Sequence, residues 1–183
     1  MGWVLMLVVL AVLAWAVVVF NRLVRLRNLV RAGWADIDVQ LLRRHDLVPM
    51  LVEAVRGYAS HEKTTLDSVK ALRGQAMQTQ SPAQLAGIEQ ALEQGLGRLL
   101  LLREAYPDLK ASGNFVQLQR DLVEVEDHLQ YARRFYNGAV RALNDAVQKF
   151  PDLLVARGFG FREAEFFEAG EGGRIAPKVE LSP

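Results

Sequence analysis

Residues 3–20 (WVLMLVVLAVLAWAVVVF) are apolar without interruption. As a helix rising about 1.5 Å per residue, the run reaches about 27 Å, enough to cross a bilayer core with little tilt. It predicts one transmembrane helix over residues 1–20, with Trp3 at one end where an interfacial indole is favourable. A cleaved signal peptide is the competing reading, and Ala14-Trp15-Ala16 resembles a cleavage site. Yet no Lys or Arg precedes the run, and it continues past that site to Phe20, so an uncleaved anchor is preferred.

Beyond the anchor, strand signals are nearly absent and apolar residues recur at spacings of three and four. The strongest stripe is Phe115, Leu118, Leu122, Val125, Leu129, Ala132, Tyr136, Ala139, Leu143, Ala146 and Phe150. It predicts a coiled-coil-like helix over 114–150, capped by Asn114 with Gln117 three residues on and ended by Pro151. A second helix opens at Ser81-Pro82-Ala83-Gln84, with a capping serine and proline in the first turn, and closes at Tyr106-Pro107. Its stripe is Leu85, Ile88, Leu92, Leu96, Leu99 and Leu102. A third stripe, Trp34, Ile37, Leu41, Val48, Val52, Val55, Ala59, Leu66 and Val69, predicts one helix from about 34 to about 74.

Three long amphipathic helices need a shared core. The expected fold is therefore all-α: an N-terminal transmembrane helix, then an antiparallel bundle of three long helices and a short C-terminal one at 151–157. The domains read as an anchor (1–20), a bundle (21–168) and a flexible tail (169–183) in which Gly170, Gly172, Gly173, Pro177 and Pro183 concentrate.

Composition narrows the class. Of 183 residues 51% are hydrophobic, the net charge is +1 and there is no cysteine. Outside the anchor the apolar fraction is roughly 45%, ordinary for a globular domain. Multi-span transporters, disulfide scaffolds, disordered chains and strongly basic nucleic-acid binders are excluded. Arg22, Arg25, Arg27 and Arg31 follow the span, with no acidic residue before Asp36. The positive-inside bias then predicts the N-terminus outside and the bundle in the cytoplasm. The same arginines could touch anionic headgroups, each worth about 1 kcal/mol near the surface.

Little in the chain looks catalytic. His61-Glu62 opens a zinc-protease motif whose second histidine is missing, and three histidines without cysteine make a poor metal set. No phosphate-binding loop or nucleophile elbow is present, so no cofactor is expected. Asp38, Arg44, His45 and Asp46 fall on or beside the third stripe near one turn, just before Pro49. Pro49 removes the donor for the carbonyl of His45, so a kink and a structural polar layer are expected together, the layer fixing helix register. A ligand site there is the alternative. The aromatics Phe159, Phe161, Phe166 and Phe167 could cap the bundle end or form an interaction surface for a partner or the membrane.

FNRLVRLRNLVRAGWADIDVQLLRRHDLVPMLVEAVRGYASHEKTTL, following a single span, resembles the bacterial LemA family. LLLREAYPDLKASGNFVQLQRDLVEVE, ARRFYNGAV and FPDLLVARGFGFREAEFF agree, so the likeness covers about residues 20–168. Leu42 and Met50 depart from the family's usual lysine and asparagine. The resemblance implies a membrane-anchored helical bundle, with neither a catalytic residue nor a cofactor to carry over. The function expected is a non-enzymatic interaction or scaffold protein that self-associates at the bacterial membrane. Its partners would be membrane lipid, further copies of itself and a membrane or envelope protein, with no nucleic acid. A signalling or stress-response adaptor that presents the C-terminal aromatics is the alternative. A metal-dependent hydrolase built on Asp38, His45 and Asp46 with Glu124 and Glu126 is the remote one.

Overall fold

A computed structural model describes residues 1–168; the tail expected at 169–183 lies outside them. Among the described residues every regular element is helical. The helices are α1 (Gly2–Arg56), α2 (Lys63–Ala76), α3 (Pro82–Leu101), α4 (Pro107–Ala111), α5 (Gly113–Gln148) and α6 (Asp152–Gly158). The all-α class expected from the stripes is the one observed.

Helix α1 is the one element among these residues long and apolar enough to cross a membrane. At about 1.5 Å per residue its 55 residues run about 80 Å. The apolar run thus passes without a linker into the first amphipathic helix, and Pro49 lies inside it.

Three boundaries differ from the sequence reading. The helix expected over 34–74 is two helices, because α1 stops at Arg56 and α2 starts at Lys63. Gly57, worth about 1 kcal/mol less than alanine in a helix, opens the break. Tyr58 N–H then bonds to the Val55 carbonyl at 3.0 Å, a tightened turn. Turning there lets Val55 and Ala59, then Leu66 and Val69, all be buried.

Pro107 closes the α3 segment as expected but also begins the short α4. Helix α5 starts one residue before Asn114: Ser112 is extended and its carbonyl takes the Val116 N–H at 3.1 Å. Asn114 is therefore inside the first turn, and the Gln117 amide bonds Asp121 at 2.8 Å instead of closing a capping box. The cap on α3 is as read, with Ser81 Oγ accepting from Gln84 N–H and Pro82 in the first turn.

The described chain packs as two units. The first comprises Met1–Arg44 and Leu122–Phe166. Within it, α5 runs antiparallel to α1: Leu23 shares a cluster with Leu143, Gly33 lies against Tyr136, and Arg44 pairs with Glu126. The α5 stripe from Leu122 to Ala146 is buried as the periodicity requires. Phe150, its expected last member, lies beyond the helix end and is exposed.

The second unit comprises His45–Asp121 with, of the described residues that follow, Phe167 and Glu168. Its core holds Val48, Leu51, Val52 and Val55 of α1 with Leu66 and Val69 of α2. Leu92, Leu96 and Leu99 of α3 and Phe115 of α5 complete it. Helix α2 packs on α3 so closely that a Cβ at Gly95 would fall 2.8 Å from Val69 Cγ2.

Candidate functional site

Charged side chains near Pro49 divide between partners and solvent. His45 is 5% exposed and its Nε2 lies 2.6 Å from Oε1 of the fully buried Glu89 on α3. Arg44, also buried, pairs through Nη2 with Oε2 of Glu126 on α5. Glu126 is further approached by Arg133 at 3.8 Å and by the Gln130 amide at 3.5 Å. Both acidic partners lie far off in sequence, on elements the stripes alone do not align.

Asp38 and Asp46 are exposed, which corrects their assignment to a buried polar layer. For Asp46 the physical reason is angular. On a helix turning about 100° per residue, Asp46 projects opposite the stripe that Ile37, Leu41, Arg44 and Val48 occupy, whereas Asp38 lies within about 20° of the buried His45 and is exposed about two turns before it. Pro49 is also exposed, and the helix continues through it. The carbonyl it deprives of a donor, that of His45, accepts instead from Arg73 Nε of α2 at 2.7 Å.

Glu89 is legible in the sequence. Leu85, Glu89, Leu92, Leu96 and Leu99 alternate spacings of four and three, so Glu89 occupies an interior position of its own stripe. A carboxylate there requires a buried donor. Its enclosure with His45 leaves no approach for a substrate, so this pair can lock the register of α1 against α3 but has no surface on which to do chemistry. Among the described residues no three His, Asp or Glu side chains converge as a metal-binding group.

The C-terminal aromatics form a second constellation. Phe161 stacks edge-on against Phe20 of α1 at 5.7 Å, and the Arg27 guanidinium lies 5.1 Å from the Phe161 ring centroid. Phe159 meets Phe20 at 4.9 Å while staying exposed. Phe166 is half-buried and Phe167 is buried, so Phe167 is no part of an exposed interaction surface: its ring is already removed from water.

Backbone pairing holds this segment. Asn144 donates through Nδ2 to the Ala164 carbonyl at 3.0 Å and accepts the Ala164 N–H at 2.9 Å. Tyr136 donates its hydroxyl to the Glu165 carbonyl at 2.8 Å, and burial, then the Glu165 charge, raises the phenol above its ordinary range. Asn144, next to Leu143 on the buried face of α5, was the available signal, since an interior amide implies a backbone partner.

The flanking arginines differ in environment. Arg22 pairs with Asp152 at the start of α6 at 3.2 Å, and Arg27 lies over Phe161. Arg25 and Arg31 are exposed. The apolar run is not free along its whole length either. Trp15, Ala16 and Phe20 pack against a buried cluster of Val19, Leu23, Leu143, Ala146, Val147, Val155 and Ala156.

A sequence profile described as the LemA family matches residues 33–181. The chain is also similar to magnetosome protein MamQ 2 of Paramagnetospirillum magneticum, 25% identical over a gapped alignment of 206 positions that takes in 96% of this chain and 76% of the relative. Against magnetosome protein MamQ of Magnetospirillum gryphiswaldense it is 24% identical, covering 90% and 72%. Against protein LemA of Metamycoplasma hominis it is 25% identical, covering 85% and 71%.

Proposed function

We propose, from the premise that this chain belongs to the LemA family, that it is a non-enzymatic, membrane-anchored interaction protein that self-associates laterally. The observation that carries the proposal is the continuity of α1 from Gly2 to Arg56. An anchor that is the same helix as the first element of a bundle transmits orientation, where a flexible linker would lose it. Exposed apolar side chains on the α1 and α5 parts of the first unit, Val39, Leu42, Val123, Tyr131 and Phe135, support contact with further copies. Relatives that bear the name of a magnetosome protein support a role at a membrane.

The topology follows the charge bias: N-terminus outside, bundle in the cytoplasm, with Arg22, Arg25, Arg27 and Arg31 on the inner face. A cysteine placed at the exposed Lys70 should resist an impermeant thiol reagent in spheroplasts and react after lysis; labelling of intact spheroplasts would reverse the orientation.

Self-association is tested on full-length protein in nanodiscs and in detergent by light scattering. Oligomers that dissociate on joint Val39→Ser, Tyr131→Ser and Phe135→Ser substitution support the reading. A strict monomer in both media removes it. The adaptor alternative has one observation in its favour, the exposed ring of Phe159, and the burial of Phe167 counts against it.

A further inference from the structure

The corner between α5 and α6 sits beside the apolar run and not beyond it. Val155 and Ala156 of α6 are buried in one cluster with Val19 and Leu23, and Trp15 and Ala16 pack against that cluster. Trp15 lies five residues before the end of the run at Phe20, or about 7.5 Å along the helix axis. Only residues 3–14 are exposed without interruption, about 18 Å of helix against a hydrocarbon core of about 30 Å. A membrane boundary that excluded the corner would leave the anchor too short to span. At the same level the other side of α1 stays apolar and uncovered, at Val17 and Val18.

The corner is built for that position. Phe150, Leu154 and Phe159 expose 74%, 60% and 65% of their surface, an arrangement that costs free energy in water. Around them stand the exposed Lys149, Arg157 and Arg162, and the one acidic residue between 149 and 162, Asp152, is taken by Arg22 at 3.2 Å. Apolar tips with a basic rim are the composition of an interfacial element, which buries its apolar face about 5–10 Å into the headgroup and acyl boundary. The depth set by Trp15 falls within that range.

We infer that the α5–α6 corner is a membrane foot: Phe150, Leu154 and Phe159 enter the acyl boundary of the leaflet that α1 leaves, and Lys149, Arg157 and Arg162 meet its anionic headgroups. This inference rests on α1 being the anchor. It assigns the bilayer, and not a protein partner, to the exposed aromatic Phe159. A helix gripped at its exit by Asp152 and by the foot would hold its bundle at a set tilt to the membrane.

The absence of cysteine makes the test direct. Full-length Leu154→Cys and Asp127→Cys proteins, both altered at exposed positions, are labelled with an environment-sensitive fluorophore. They are reconstituted in phosphatidylcholine–phosphatidylglycerol vesicles. Residue 127 lies about 30 Å along α5 from the corner end of that helix at Gln148, and serves as the aqueous reference. The foot requires blue-shifted emission at 154, quenched by lipids brominated near the headgroup, with neither effect at 127. It also requires that Phe150→Ser with Phe159→Ser weaken the blue shift while helicity is retained. Vesicle-bound protein whose 154 label is as wet as the 127 label overturns the foot and leaves the anchor standing. Protein that fails to float with vesicles overturns both.

Discussion

Arg73 Nε donates to the backbone carbonyl of His45 at 2.7 Å, replacing the amide that Pro49 cannot supply four residues later. A proline inside a helix removes one bond and strains the turn, at about 3 kcal/mol. Here a side chain from α2 satisfies the orphaned acceptor, so α1 passes through Pro49 unbroken. Arg73→Met should therefore destabilise the protein by about 1–3 kcal/mol. In a Pro49→Ala background, where the amide is restored, the same change should cost clearly less. A double-mutant cycle by chemical denaturation measures the difference; equal costs in both backgrounds would refute the link.

The pairing of His45 with Glu89 makes an asymmetric prediction. His45→Leu alone should cost about 3 kcal/mol, the low end for breaking a buried pair, because Glu89 keeps a further partner. His45→Leu together with Glu89→Leu should recover part of that loss, since an apolar pair carries no desolvation penalty while the further partner of Glu89 loses its acceptor. Thermal unfolding of the two variants beside the parent protein tests it, and a double variant less stable than the single one would overturn the expected recovery.

Gly33 is where α1 and α5 approach most tightly among the glycines of the first unit. A Cβ there would stand 3.0 Å from the Tyr136 Cα, which cannot swing aside as a side chain does. Gly33→Ala should destabilise by about 1–3 kcal/mol through overpacking. Gly138→Ala, with nothing within 4 Å, should stabilise by about 0.5–1 kcal/mol through helix propensity. Opposite signs in calorimetry distinguish contact from propensity.

Alkaline pH should weaken the hold on the C-terminal segment. Burial, followed by the Glu165 charge, raises the Tyr136 phenol above its ordinary 10.0. Its contribution is complete below about pH 10 and is lost as pH rises through the raised folded value, because the unfolded chain ionises first. Tyr136→Phe should flatten that part of the stability profile and cost about 1 kcal/mol at neutral pH for the lost bond to Glu165. An unchanged alkaline slope would assign it to other groups.

The stripes from Leu122 to Ala146, from Leu85 to Leu99 and from Ile37 to Val55 were readable because a helix repeats its face every three or four residues. So were the anchor, the serine cap of α3 and the orphaned carbonyl before Pro49. Each depends on neighbours within about one turn. The partners were not readable in the same way. Glu89 stands 44 residues from His45, and Glu126 stands 82 from Arg44. Asp38 was indistinguishable from His45, about 20° away around the same helix, until packing covered one turn of α1 on that side and not the other.

The same limit applied to the anchor. Its hydrophobicity marked residues 3–20 as a span, but only the packing of α6 on Val19 and Leu23 decided which of its turns carry a second layer of protein. Periodicity is a property of one helix, whereas register is a property of two. Register is set by where buried charges find their counterparts and where a glycine lets backbones meet.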